Sequence, residues 1–412
     1  MKTNPRSPLL AFSLGLLLLC SSAMPLRADF FGPFEYFWLN EGTEVIIESY
    51  TGSATGPVSI PAEIEGLPVT TIGTGVFSGR PGLTAVTIPA SVNSIGDQTF
   101  YCCSGLTSIT IPAGVSAINN GTFSNCTGLT SVLLPASVTS FSDSAFSGCT
   151  GLTTPPLSTG LASIGEGAFY GCTGLTSALL PASVEYIGSM TFYGCRGLTG
   201  VTLPTGIQSL NSRVFYGCTG LTSIAIPATV NYISDYTFGG CTGLKSALFE
   251  GNAPDEFNST AFRDTAPGFT VYYFTNRTGF TSPLWNDYAS IGIDPAVWPA
   301  ATWLLTHGLP YNTSLQQDPD GDGVSLLMAY ALNLDPRQNL QSRLPVPLLG
   351  EDVLSIRFYA AAPGITYRVE TSRDLMQWTP TGVTLSAPDA ENIRTASVPR
   401  DADGRFLRLV VQ

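Results

Sequence analysis

The sequence predicts a mainly β protein, a solenoid of 23-residue coils followed by a short helical segment and a small antiparallel β domain. Three observations carry the first part. Phenylalanine recurs at Phe77, Phe100, Phe123, Phe146, Phe169, Phe192, Phe215 and Phe238, always 23 residues on. Cysteine keeps the same step at Cys103, Cys126, Cys149, Cys172, Cys195, Cys218 and Cys241. Leucine keeps it too, from Leu83 through Leu106 and Leu129 to Leu244. A fixed period in this range marks an array of stacked units, and a Leu-x-x-Ile-x-Ile core within it marks a leucine-rich repeat.

Each part of the period has its own reason. After Leu106, the side chains of Ile109 and Ile111 fall at period 2 on one side of a short strand. Pro112 ends that strand because it brings no N–H to a ladder. Val115, Ile118 and Phe123 then line the return leg. One coil cannot bury its own apolar side, so coils stack at about 4.8 Å.

Composition narrows the function. Charged residues are 12% of the 412 and the net charge is −12. Nucleic acid and anionic membrane surfaces call for clustered Lys and Arg, and this chain has none. Only seven charged side chains lie between Tyr101 and Phe249, so that stretch must fold around a regular core. At the N-terminus, Lys2 and Arg6 precede an apolar run from Leu9 to Leu19, too short to span a bilayer, with small residues after it. Residues 1–28 read as a signal peptide, and cleavage after Ala28 takes the charge to −15. The expected address is secreted or cell surface, with no transmembrane segment in the mature chain.

The repeats resemble the BspA-like leucine-rich repeat family of bacterial surface proteins. The stretch Gly42–Gly73 fits that family's usual first repeat. Ala247–Phe280, with Gly251–Asn252–Ala253–Pro254 and Tyr272–Tyr273, resembles its usual last one. The resemblance covers roughly residues 34 to 290 and implies surface adhesion or protein interaction without naming a ligand. Residues 29–290 are therefore expected to form the solenoid with its caps, 291–343 a helical segment with an acidic loop, and 344–412 a small β domain resembling a C-terminal module of exported bacterial proteins.

The cysteine column has two readings. A secreted, cysteine-rich chain invites disulfides. Equivalent positions of stacked coils, however, set β-carbons about 4.8 Å apart, wider than the roughly 3.8 Å of a disulfide. Buried free thiols acting as small apolar side chains are the other reading. Cys102 stands outside the column.

Tyrosines mark the candidate binding surface. Tyr170, Tyr193 and Tyr216 follow the repeat phenylalanine in three consecutive coils, and Tyr101 holds the same place earlier. Tyr186 and Tyr232 share a second equivalent position. Stacked tyrosines make a rigid amphipathic strip that proteins and glycans use, although an aromatic ladder can also serve stability alone. Recurring hydroxyls at Thr107, Thr130, Thr153, Thr176, Thr199 and Thr222 offer either a flat array or ordinary turn residues.

The stretch Ala296–Leu309 reads as helical, and an acidic loop follows it. Asp318, Asp320 and Asp322 with Gly323 match positions 1, 3, 5 and 6 of a calcium loop. The twelfth position is Ala329 rather than a bidentate acid, so Asp335 or water would have to substitute. Calcium is the one cofactor this spacing suggests, with a solvated acidic turn as the alternative reading. Beyond about Leu344, short alternating runs broken by Pro and Gly predict antiparallel strands. His307 is the only histidine and no nucleophile motif accompanies it, so no enzyme is expected. The function expected is non-catalytic binding of an extracellular protein or glycan. A structural spacer without a ligand is the alternative, and a glycan-processing enzyme the last.

Overall fold

Every 23-residue period closes one coil of a β-solenoid in the computed structural model. It describes residues 29–294 and, beyond them, 300, 303–304, 307, 309, 313, 315–318, 321–335, 340–350, 353–362, 365–373, 376–399 and 406–412. The signal-peptide reading of residues 1–28 lies outside them, as do Asp320 and most of the Ala296–Leu309 segment.

Two columns of parallel strands run along the solenoid. One contains Ser108–Thr110, Ser131–Leu133, Ser177–Leu179, Gly200–Thr202, Ser223–Ile226 and Ser246–Phe249. The other contains Ala117–Ile118, Ser140–Phe141, Ser163–Ile164, Tyr186–Ile187, Ser209–Leu210 and Tyr232–Ile233. Partners such as Ser131 and Ser108, or Ser163 and Ser140, differ by one period. A proline turn joins the columns, with the N–H of Val115 on Pro112 O and that of Val138 on Pro135 O. The third side is also laddered: Phe100 N donates to Thr122 O and Phe123 N to Ala145 O. Backbone polar groups on all three sides thus find partners in the neighbouring coil, as a buried backbone requires.

The residue two after each phenylalanine adopts a left-handed conformation. Gly171, Gly194, Gly217 and Gly240 do so freely at φ 66 to 69°. Cys102 and Asn125 hold the same place at φ 58° and 60°. This places Cys102 on an outer turn, which accounts for its falling outside the cysteine column.

One coil departs from the pattern. Where its neighbours have Ser131–Leu133 and Ser177–Leu179, Thr154 is followed by Pro155 and Pro156, and no strand forms. Two missing N–H donors interrupt the longer sheet, leaving separate pairs on either side. The shorter column runs through this coil unbroken, from Ala117 to Tyr186.

Phe77, Phe100, Phe123, Phe146, Phe169, Phe192, Phe215 and Phe238 stack at 5.3–5.5 Å between ring centroids, all of them buried. The stack continues past the eighth ring: Phe262 lies 5.2 Å from Phe238 after a step of 24, where the last coils carry one extra residue. Tyr50 and Phe34 close the opposite end. Strands Asp29–Phe31, Phe34–Leu39 and Glu44–Tyr50 form the first cap, antiparallel to one another. Glu44–Tyr50 then pairs in parallel with Leu67–Ile72 to start the solenoid. At the far end, Thr270–Phe274 and Tyr288–Ile293 continue the sheet, and Leu284–Trp285 folds back on the last strand. One hydrophobic core runs from Phe34 to Trp285.

The tail has its own clusters. Trp303, Leu304, Val324 and Tyr330 form one, with the helix Leu326–Ala331 capped by Ser325. Ile356, Phe358, Val369, Ala396 and Val398 form another. The latter lies under antiparallel pairs, Val353–Tyr359 with Ile393–Pro399 and Tyr367–Ser372 with Phe406–Val411. The antiparallel strands expected of this region are present.

Candidate functional site

The occupants of the position after each stacked phenylalanine differ from coil to coil, as Ser78, Tyr101, Ser124, Ser147, Tyr170, Tyr193, Tyr216 and Gly239: Ser78, Tyr101 and Tyr170 are exposed, Ser147, Tyr193 and Tyr216 half-buried, and Ser124 and Gly239 buried. The structure brings three of the expected tyrosines together. Tyr170 and Tyr193 stack at 4.8 Å with planes 8° apart, and Tyr193 and Tyr216 at 4.9 Å and 16°. Because the backbone under each ring is fixed by coil-to-coil bonds, such as Gly171 N to Tyr193 O at 2.7 Å, the rings are held in place before any partner arrives.

A fourth ring, not expected from the sequence, finishes the stack. Tyr236 meets Tyr216 edge-on at 6.2 Å and 66°. It comes from the position two before Phe238, where the preceding coil has Arg213. Gly239 explains the change: a β-carbon there would lie 2.9 Å from Tyr236 Cδ1 and 3.1 Å from Tyr216 Cδ2. Tyr236 is thus packed over the place a fourth stacked tyrosine would need. Arg213 lies over the Tyr236 ring at 5.5 Å and pairs with Asp235 at 3.6 Å, while Arg263 donates to the Tyr236 hydroxyl at 3.4 Å. A charged corner therefore adjoins one end of the aromatic strip.

The remaining tyrosines stand apart. Ser124 and Ser147 separate Tyr101 from Tyr170 in the column. Tyr186 pairs with Ser163 and Tyr232 with Ser209, so the Ser209 coil lies between them. Tyr101, Tyr170 and Tyr186 are exposed, at 37%, 43% and 51%. Inside the stack, each ring covers its neighbour's face, so solvent meets edges and hydroxyls. The open face of Tyr170 looks toward the small Ser147.

The other repeated groups are occupied by the fold. All eight described cysteines are unpaired thiols, as the β-carbon spacing favoured. Those of the column are buried, and each Sγ bonds the carbonyl oxygen of the preceding coil's phenylalanine at 3.0–3.1 Å. Burial pushes Cys103 up to about 11 and Cys172 up to about 12, and moves Cys126, Cys149, Cys195 and Cys218 upward as well. Such thiols stay protonated and unreactive at neutral pH. Three of the threonine hydroxyls are also taken: Thr130, Thr176 and Thr199 each donate to a carbonyl of the coil before.

In the acidic loop, Asp318 accepts from the N–H groups of Gly321, Asp322 and Gly323 at 2.8–3.2 Å. Asp322, almost wholly buried, accepts from Val324 N and Leu340 N. Ala329 is buried in the helix and offers no oxygen. Asp335 is half-buried, and Asp320 lies outside the described residues. These carboxylates fasten their own loop, and among the described residues no group of three or more acidic, His or Cys side chains stands together as a metal would need. His307 packs on the ring of Trp303 at 4.7 Å, its Nδ1 2.7 Å from Trp303 O. Among the described residues no helix is long and apolar enough to cross a membrane.

Comparison with known proteins agrees with the geometry. The profile of the BspA type leucine rich repeat region matches in six copies, over residues 59–176 and 162–277. No curated protein matches the chain. Among solved structures, a leucine rich repeat protein of T. pallidum is 28% identical, over 53% of this chain and 91% of its own, with a TM-score of 0.41. A leucine rich cell surface protein of Faecalibacterium prausnitzii is 23% identical over 66% of this chain and 99% of its own, TM-score 0.27. A leucine-rich repeat protein of Bacteroides ovatus is 19% identical over 65% and 100%, TM-score 0.34. With residues 59–277 of 412 accounted for by its repeats, the chain belongs to the BspA type leucine-rich repeat family.

Proposed function

We propose that this is a non-catalytic recognition protein of the cell surface that holds an extracellular protein or glycan against the Tyr170–Tyr193–Tyr216 strip. The observation that supports it most is the contrast within one coil. The thiols and many of the threonine hydroxyls are already bonded within the solenoid, whereas three tyrosines are stacked outward at a position where small residues serve equally well. Rigid aromatic side chains give large contact area with little ordering cost, which is why they dominate binding hot spots. Because the faces within the stack are covered and only the outer face of Tyr170 is open, the reading favours partners that contact ring edges and accept or donate to a row of hydroxyls. That chemistry suits a protein surface better than a sugar needing an open ring face. The description of the F. prausnitzii structure as a cell surface protein is consistent with the address.

The experiment is capture from an array of extracellular-matrix proteins and glycans by the purified protein and by its Tyr170→Ala/Tyr193→Ala/Tyr216→Ala variant, both shown to be folded. A partner lost in the variant is expected. A partner kept at equal strength would move the site elsewhere, and no partner at all would favour the spacer. Calcium at the Asp318 loop is proposed on the carboxylate spacing alone. It requires a higher melting temperature in millimolar calcium than in chelator; equal temperatures and no heat on titration would discard it.

A further inference from the structure

The C-terminal cap contains an open cleft of about 640 Å³, whose lining begins at Asn252, beyond the last ring of the tyrosine strip. One wall is the loop around Asn252 and Asp255, and the other runs from Thr278 to Asn286. The walls are fastened together: Ala253 N donates to Thr278 O at 2.9 Å, and Thr278 N to Asn252 Oδ1 at 3.1 Å. Gly279 allows them to approach, since a β-carbon there would fall 2.7 Å from that of Ala253. The aromatic side of the cleft is set by Phe257 and Trp285, 4.5 Å apart, with the indole N–H of Trp285 donating to Gly279 O at 3.0 Å. The cleft is therefore formed before anything enters it.

Its chemistry is specific in kind. Asn252 has used its carbonyl oxygen on Thr278 N, which leaves its amide N–H groups for a ligand. Asp255, the Thr278 hydroxyl and the Asn286 carboxamide complete a set of planar acceptors and mixed donors on the lining. Neighbouring hydroxyls of a sugar each donate and accept, and planar carboxylate and carboxamide groups can address two of them at once. A half-buried phenylalanine ring supplies an apolar surface for a sugar's C–H face. No basic side chain lines the cleft and one carboxylate does, so an anionic ligand would meet repulsion. The volume falls within the range of small-molecule sites.

We infer that this cap cleft is a binding site for a neutral saccharide unit, independent of whatever the tyrosine strip holds. The test titrates the purified protein with cellobiose, lactose and N,N′-diacetylchitobiose, and with 3′-sialyllactose as the anionic arm, by calorimetry and saturation-transfer NMR. At least one neutral disaccharide is expected to bind saturably. Its affinity should fall at least tenfold in Asp255→Ala and in Asn286→Ala, both exposed positions whose folding is checked by melting. Sialyllactose should bind more weakly than lactose. The inference is overturned if no neutral disaccharide saturates, if binding survives both cleft substitutions, or if sialyllactose binds more tightly than lactose. Loss of saccharide binding in Tyr193→Ala alone would assign it to the strip and likewise end the claim for the cap.

Discussion

Phe169 and Tyr170 are adjacent in the chain, yet they belong to columns governed by different rules. The phenylalanine column is unbroken from Phe77 to Phe262, every ring buried and every neighbour stacked. The column one residue later holds serine, tyrosine, glycine or, after Phe262, arginine, and its rings stack only between Tyr170 and Tyr216. An interior position must match the coils above and below, because a coil with a hole there strands the side chains packed on it. An outward position answers to solvent and to partners. Repetition therefore reports the fold, and departures from it report where function can be placed.

The largest effect that sharpens this contrast is expected inside. Phe169→Ala should destabilise by about 3–5 kcal/mol, the cost of a buried aromatic truncation with its cavity. Tyr193→Ala, on the neighbouring column, should cost no more than about 1–3 kcal/mol, since it loses two stacking partners but leaves no cavity. Denaturant melts of the two proteins settle the order, and equal losses would break the distinction.

A smaller effect concerns the end of the strip. Gly239→Tyr restores the tyrosine pattern on paper, but its β-carbon collides with the rings of Tyr236 and Tyr216. Overpacking of this kind costs about 1–3 kcal/mol. Adding Tyr236→Ala should recover most of that loss, and a double variant as unstable as the single would show that Tyr236 is not the obstacle.

The thiols give a dependence on pH. Their folded-state values lie above the ordinary 9.0, to about 11 for Cys103 and about 12 for Cys172, because burial disfavours the thiolate. The folded chain thus keeps protons that the unfolded chain releases, and stability must fall as pH rises above 9. Between pH 6 and 7 the thiols contribute almost no slope, and the fall sets in near pH 8 and steepens toward 9. Melting temperatures that decline from about pH 8 upward, less so in Cys172→Ala, are the expected record, with the window set by the thiol reference value. The smallest effect belongs to Ser147→Tyr, which extends the strip over the open face of Tyr170. Its stability should stay within about 0.5 kcal/mol of the parent, as for most surface substitutions.

Much of the architecture was legible because the interior constrains it. The phenylalanine, cysteine and leucine columns, the strand of Ile109 and Ile111 and the turn at Pro112 follow from a single period. The ninth ring, Phe262, escaped that reading because the final step is 24. The interruption at Pro155–Pro156 is visible in the letters, because two adjacent prolines bring no N–H to a ladder. Tyr236 was hidden for a different reason: it fills the column's place from another backbone position, and only the missing side chain of Gly239 hints at it. The cap cleft could not be read at all. Asn252, Asp255, Thr278 and Asn286 belong to irregular loops without period, brought together by the hairpin of Trp285 and the tight contact at Gly279.

The most direct test of the central claim, that the inner column carries the fold and the outer one the recognition, measures capture and melting on the same protein. It compares the parent with the Tyr170→Ala/Tyr193→Ala/Tyr216→Ala variant against the partner found on the array. The expected result is a cooperative melt retained and capture reduced at least tenfold. A folded variant that captures as the parent does would contradict the claim and leave the tyrosines as part of the scaffold.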